Sequence, residues 1–312
     1  MLISASRRTD IPACYAEWFC NRIREGYVLV RHPVNARQIR RVSLRPDSVD
    51  GIVFWTKNPL PLLDRLSQLD GYVYYVQFTL NAYGQDLERG VPSKGKVIIP
   101  AFQRLADRIG PERVIWRYDP ILFNATYTMA HHVRYFEVLA TRLAGYTRTC
   151  TISFLDTYRH TAGRLDELGV QAGTSEQQCM LASQLADIAR SYGLAIQTCA
   201  ETMDLQAYGI QHARCIDDRL FEKLIGRPFQ GSKDAHQRRA CGCVESVDIG
   251  AYNTCRNGCR YCYATFSTQA VAANTGRHDP QSPLLVGEPG PDDTIIEQTS
   301  SACRMQQLKL VL

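Results

Sequence analysis

Short runs rich in β-branched and aromatic residues alternate with longer amphipathic runs along this chain. The short runs predict strands at 2–6 (LISAS), 51–57 (GIVFWTK), 72–80 (YVYYVQFTL), 113–118 (RVIWRY), 150–155 (CTISFL), 194–199 (LAIQTC) and 246–252 (SVDIGAY). The longer runs predict helices over 12–25, 59–68, 97–109, 128–144, 176–192 and 217–225. In the third of these, Phe102, Leu105, Ala106 and Ile109 recur at three- and four-residue spacing, the mark of one apolar helix face. Gly110-Pro111 ends that helix, and Gly193 ends the one at 176–192. Alternation of this kind implies parallel strands joined by helical crossovers. The number of β–α pairs and the apolar strands favour an α/β TIM-type barrel, covered by helices on its outer face, over an open sheet. Residues 226–245 lack periodicity and read as a loop. The Pro-, Gly- and Asp-rich stretch from 276 reads as an extended surface tail, so the expected domain is 1–275 with a tail at 276–312.

Composition narrows the class. Of 312 residues, 45% are hydrophobic and 21% charged, which excludes disordered, collagen-like and heptad-repeat chains. No window approaches the roughly 18 uninterrupted apolar residues of a membrane helix. Arg7, Arg8 and Asp10 stand where a signal peptide needs an apolar stretch, so the expected compartment is the cytoplasm. A net charge of +5 permits an anionic substrate or nucleic acid without demanding one.

Twelve cysteines are many for a reducing compartment, and five of them lie between 241 and 262. That pattern suggests metal thiolates before disulfides. Cys255-Arg-Asn-Gly-Cys259-Arg-Tyr-Cys262 is C-x3-C-x2-C. Three thiolates this close can cap three irons of a cubane and leave the fourth iron open to a small molecule. Zinc is the rival, with Cys241 or Cys243 as a fourth ligand.

The stretch DIGAYNTCRNGCRYCYA resembles the cluster-binding signature of radical S-adenosylmethionine enzymes, most closely the spore photoproduct lyase branch. The resemblance implies that Cys255, Cys259 and Cys262 hold a [4Fe–4S] cluster and that Tyr261 lies near the adenine of S-adenosylmethionine. It implies reductive cleavage to a 5′-deoxyadenosyl radical, with a one-electron reductant such as flavodoxin or ferredoxin as partner. In those enzymes the loop usually follows the first strand. Its place near the C-terminus here implies a circularly permuted, incomplete barrel, with 246–252 as the family's first strand and LISAS as its second. The segments ISASRRTDIPA, FWTKNP, QFTLN, WRYDP, CAETMDL and CGC…DIGAYNTC…YCYA also resemble a bacterial family, domain-of-unknown-function family 1848, over nearly the full length.

Barrel active sites sit at the C-terminal ends of strands. Reading those ends selects Arg7, Arg8, Asp10, Thr56, Lys57, Gln77, Thr79, Asn81, Arg117, Asp119, Ser153, Asp156 and Glu201 as candidates for holding S-adenosylmethionine and a polar substrate. Arg7, Arg8, Lys57 and Arg117 together suit a phosphate or carboxylate. SASRRTD stands where typical radical enzymes carry a glycine-glycine-glutamate stretch for the methionine amino group.

Cys199, Cys215, Cys241 and Cys243 fall in neighbouring segments and are candidates for a second [4Fe–4S] cluster or a zinc. Cys14, Cys20, Cys150, Cys179 and Cys303 read as structural, and His131-His132 as a solvated helix face. The expected function is a radical S-adenosylmethionine enzyme acting on nucleic acid, a peptide or a small polar metabolite. The rivals are a non-catalytic, zinc- or cluster-stabilised nucleic-acid-binding protein and a cluster protein that only transfers electrons.

Overall fold

The computed structural model describes residues 1–298; the structural reading of Cys303 and the end of the 276–312 tail lie outside them. In chain order the elements begin β1 Leu2–Ala5, α1 Ile11–Cys14, α2 Ala16–Glu25, β2 Tyr27–Arg31, β3 Gln38–Ser43, β4 Gly51–Thr56, α3 Leu60–Leu63 and β5 Tyr74–Thr79. They continue with α4 Ile99–Ile109, β6 Val114–Ile121, α5 Met129–Leu143, β7 Thr149–Phe154, α6 Ala162–Asp166, α7 Ser175–Ser191 and β8 Ala195–Thr198. The last are β9 Gln211–His212, α8 Asp218–Ile225, β10 Val247–Asp248, α9 Thr268–Gly276 and β11 Thr294–Glu297. Eight strands form one sheet in the order β10-β1-β4-β5-β6-β7-β8-β9, and every pair in it is parallel. The fold is therefore α/β with a large parallel sheet.

Strand order in this sheet advances one way from β1 to β9 without reversing. Right-handed crossovers that always step in the same direction put their helices on one face. That face is the main core. Phe54, Val76, Phe78, Trp116 and Cys150 meet Phe102 of α4, Phe136 of α5 and Leu185 of α7 there. Trp116 stacks on Phe136 at 4.7 Å between ring centroids. Alternate residues of the same strands, Leu2, Val53, Tyr75 and Ile115, face the other way and pack with Phe221 and Phe229. Helix α8 thus covers the base of the inner face. Gly51 is required there, because a Cβ would lie 2.1 Å from the Phe221 ring. Among the described residues no pairing joins β10 to β9, so the ladder is open at that seam.

The predicted strands are present, but β10 is two residues where seven were expected. Predicted helix 12–25 breaks at Tyr15, 59–68 is reduced to α3 and a 3-10 turn at Leu66–Leu69, and α4 is preceded by a π turn at Lys94–Ile98. A second sheet, β11-β3-β2, was not anticipated, because its strands carry no βα rhythm. It gives the segment after 276 a seat. Trp18 Nε1 donates to the Ser282 carbonyl at 2.9 Å, Leu284 and Leu285 are buried, and β11 pairs with β3.

His132 corrects the solvated-face reading of the His131-His132 pair: it is fully buried. Its Nε2 lies 2.8 Å from the Leu122 carbonyl and its Nδ1 lies 2.8 Å from the Tyr118 hydroxyl. A carbonyl only accepts, so Nε2 carries the proton and neutral Nδ1 accepts from Tyr118. Burial pushes the imidazole down to about 4.

Candidate active-site cavity

Side chains alternate across a strand, so the inner face takes every second residue. In β6, Trp116 and Tyr118 go to the outer core while Arg117 and Asp119 face inward. The inward set gathers at the C-terminal strand ends around one cavity of about 470 Å³. Ser6 and Arg7 follow β1, Thr56 ends β4 and Lys57 follows it, Thr79 ends β5, Ser153 is next to last in β7 and Cys199 follows β8. Arg117 is buried. Its Nη1 donates to the Cys215 sulfur at 2.9 Å and to Gln77 Oε1 at 3.3 Å, and its Nε donates to Asp119 Oδ2 at 3.0 Å. Burial opposes the Asp119 charge, but Arg117 outweighs it and holds the carboxyl below its usual range.

Cys255, Cys259 and Cys262 all reach the wall of this cavity. Their loop is clamped from two sides. Segment 84–91 runs along it: Gly90 N donates to the Asn257 carbonyl at 2.8 Å, Arg260 N donates to the Leu87 carbonyl at 2.9 Å, and Glu88 bridges Cys259. A Cβ on Gly90 would stand 2.4 Å from the Arg256 carbonyl, so only glycine permits this approach. On the other side, Asp10 Oδ2 accepts from Asn257 Nδ2 and from the Lys57 amide, both at 2.8 Å. Behind the loop, Glu88 receives Lys57 Nζ at 2.7 Å, Lys94 Nζ at 2.6 Å and the Tyr261 hydroxyl. Burial alone would raise Glu88; the two lysines outweigh it and hold its carboxyl at about 2. Burial pushes the Cys259 thiol up to about 12. The neighbouring Cys255 draws the Cys14 thiol below its usual range, although Cys14 does not line the cavity.

Of the polar candidates, Arg7, Arg8, Asp10, Thr56, Lys57, Thr79, Arg117, Asp119, Ser153, Asp156 and Tyr261 line the cavity. Gln77, Asn81 and Glu201 stand behind its wall. Gln77 donates to the Cys215 carbonyl at 2.9 Å, Asn81 holds the Asp119 backbone, and Glu201 accepts from the Phe154 amide at 2.8 Å. Sequence reasoning missed Glu88, Lys94, Asn257 and Arg238. Only Asn257, inside the cysteine motif, carried a signal. Arg238 lies in the aperiodic 226–245 loop and pairs with Asp156 at the cavity wall. Aromatic pairs stand in and beside the cavity lining, Tyr158 and Tyr263 within it. The Arg8 guanidinium sits 5.2 Å over Tyr252, Tyr252 stacks on Phe266, and Tyr158 lies against Tyr263. Flat faces beside cations suit a planar ligand.

A second thiol group lines the same cavity. Cys199 and Cys215 sulfurs are 2.9 Å apart, and Cys241 and Cys243 stand beside them in the lining. Among the described residues every cysteine is free, and no three His, Cys, Asp or Glu side chains converge as the ligand set of a single metal ion.

Fold and site together define an α/β protein with a thiol-lined cavity at the C-terminal edge of a parallel sheet. A family model described as Domain of unknown function (DUF1848) matches residues 2–264, and the chain belongs to that family. No curated protein matches the chain.

Proposed function

We propose that this protein is a radical S-adenosylmethionine enzyme on a circularly permuted, incomplete (β/α) barrel. One observation carries the reading: all three cysteines of the C-x3-C-x2-C loop reach the cavity that the strand ends enclose. Each ligand of a cubane caps its own iron, so cluster cysteines need not converge on one point. The cavity volume, about 470 Å³, falls within the roughly 300–1,000 Å³ of small-molecule sites. Its mixed charges, Lys57 and Arg7 near Asp119 and Asp156, suit a zwitterionic ligand. The permutation finds support in the pairing of β10 with β1, which sets the cysteine loop after an edge strand beside the N-terminal one.

In this reading Cys255, Cys259 and Cys262 would hold the [4Fe–4S] cluster. When bound, it would supply the single electron for reductive cleavage of S-adenosylmethionine and so the radical chemistry. Asp10 and Asn257 fix the loop. Tyr261 and the polar strand ends orient the ligand. The substrate is nucleic acid, a peptide or a small polar metabolite, and a flavodoxin- or ferredoxin-like donor in the cytoplasm supplies the electron.

The test is anaerobic reconstitution, dithionite reduction with S-adenosylmethionine, and chromatography for 5′-deoxyadenosine. A brown protein that forms it, and stops forming it on Cys259→Ala, supports the reading. A colourless protein carrying zinc and making no 5′-deoxyadenosine overturns it and favours a binding protein.

A further inference from the structure

We propose that Cys199, Cys215, Cys241 and Cys243 bind a second thiophilic metal centre in the wall of the same cavity. Three chain segments bring these thiols together: the end of β8, the loop after β9, and the turn at 241–243. The Cys199 and Cys215 sulfurs are 2.9 Å apart, and Cys241 and Cys243 pack with them in one cluster and line the same cavity. Apolar packing does not select this arrangement, since alanine or valine would fill the same space without four soft donors.

The surroundings are built for sulfur. Gly242 lets the Cys-Gly-Cys turn close on its neighbour, because a Cβ there would lie 3.0 Å from Arg214 Cγ and 3.3 Å from the Ala213 carbonyl. The turn is then tied down: Val244 N donates to the Ile216 carbonyl at 3.2 Å and Asp234 N donates to the Cys243 carbonyl at 3.0 Å. Two donors point at the sulfurs, Arg117 Nη1 at Cys215 (2.9 Å) and the Ile216 amide at Cys243 (3.4 Å). N–H groups and a guanidinium beside thiolates offset the negative charge that four such ligands concentrate. The group of thiols closes into a ligand shell as the metal enters, and each thiol releases its proton to solvent. Soft thiolates select zinc or an iron–sulfur cluster.

The experiment removes the other site first. The Cys255→Ala, Cys259→Ala, Cys262→Ala triple variant is purified anaerobically, reconstituted with iron and sulfide or with zinc, and assayed for metal and acid-labile sulfide. Retention of about four iron and four sulfide per chain assigns a cluster, and about one zinc assigns a zinc site. Either result supports the centre, provided that Cys241→Ala with Cys243→Ala, added to the triple variant, abolishes it. A folded triple variant without stoichiometric metal, or a Cys199–Cys215 disulfide found by mass spectrometry of the anaerobic protein, overturns it. If the triple variant does not fold, wild-type metal content decides: one cluster alone overturns the centre, and a cluster plus a second metal or cluster supports it. Because the triple variant lacks the C-x3-C-x2-C thiols, this outcome is independent of 5′-deoxyadenosine formation.

Discussion

Ser4 Oγ donates to Asp248 Oδ2 at 2.7 Å across 244 residues of chain. Ser6 Oγ, the Arg7 amide and the Gly250 amide also donate to this carboxylate, at 2.6, 2.8 and 3.0 Å. Asp248 therefore joins a two-residue strand to β1 with side-chain bonds where the ladder alone is short. Asp248→Ala should cost about 3 kcal/mol, since several charge-assisted hydrogen bonds are lost and their donors stranded. Asp248→Asn should cost less. Urea midpoints at constant m-value report both, and equal stability of the alanine variant and wild type would contradict the role.

Cys14 neighbours Cys255 but stands outside the cavity wall. In the proposed reading three thiols suffice, so Cys14→Ala should keep the cluster absorbance and 5′-deoxyadenosine formation within about twofold of wild type. Loss of the cluster in that variant would make the loop a closed four-thiolate site, with no iron free for S-adenosylmethionine.

Buried Glu88 neutralises two partly buried ammonium groups behind the cysteine loop. Glu88→Gln should destabilise the protein by about 3–5 kcal/mol, because Lys57 and Lys94 lose their counter-charge. Adding Lys94→Met to that variant should recover part of the loss, and the coupling is read from a double-mutant cycle in urea. Strict additivity would show that the lysines do not depend on Glu88.

His132 makes stability fall in mild acid. Its native imidazole titrates at about 4, below the unfolded value near 6.5, so the unfolded chain takes the proton first. Its contribution is complete above pH about 6.5, declines as pH falls toward about 4, and amounts to roughly 3 kcal/mol. His132→Gln keeps a donor for Leu122 and should flatten the difference in urea midpoint between pH 7 and pH 4.5. An unchanged slope would assign the acid sensitivity elsewhere.

Gly51 and Phe221 are a matched pair at the base of the inner face. Gly51→Ala should cost about 1–3 kcal/mol through overpacking. Phe221→Leu in the same chain should return part of that stability, whereas Phe221→Leu alone leaves a void. Thermal midpoints of the three variants test the compensation.

Much of this architecture was legible locally. The βα rhythm placed β1, β4, β5, β6, β7 and β8 within a few residues, because burial on both faces of a parallel sheet writes continuous apolar runs. Reading strand ends selected Arg117 and Asp119, and strand parity explains why they enter the cavity: they alternate with Trp116 and Tyr118 in WRYDP. The cysteine spacing placed three thiols together before any geometry, since three cysteines within eight residues must share one loop. Gln77, Asn81 and Glu201 show the limit of reading strand ends. Each lies at or near one, yet each bonds a neighbouring backbone behind the wall instead of lining the cavity.

What tertiary structure alone decided is long-range. Pairing of β10 with β1, the clamp of segment 84–91 on the cysteine loop, the burial of His132 and the grouping of Cys199 with Cys241 join residues that no local period connects. These contacts form where distant segments bury surface together. Sequence by itself therefore determined the repeating units and the donor atoms of this protein, and chain folding determined which donors meet.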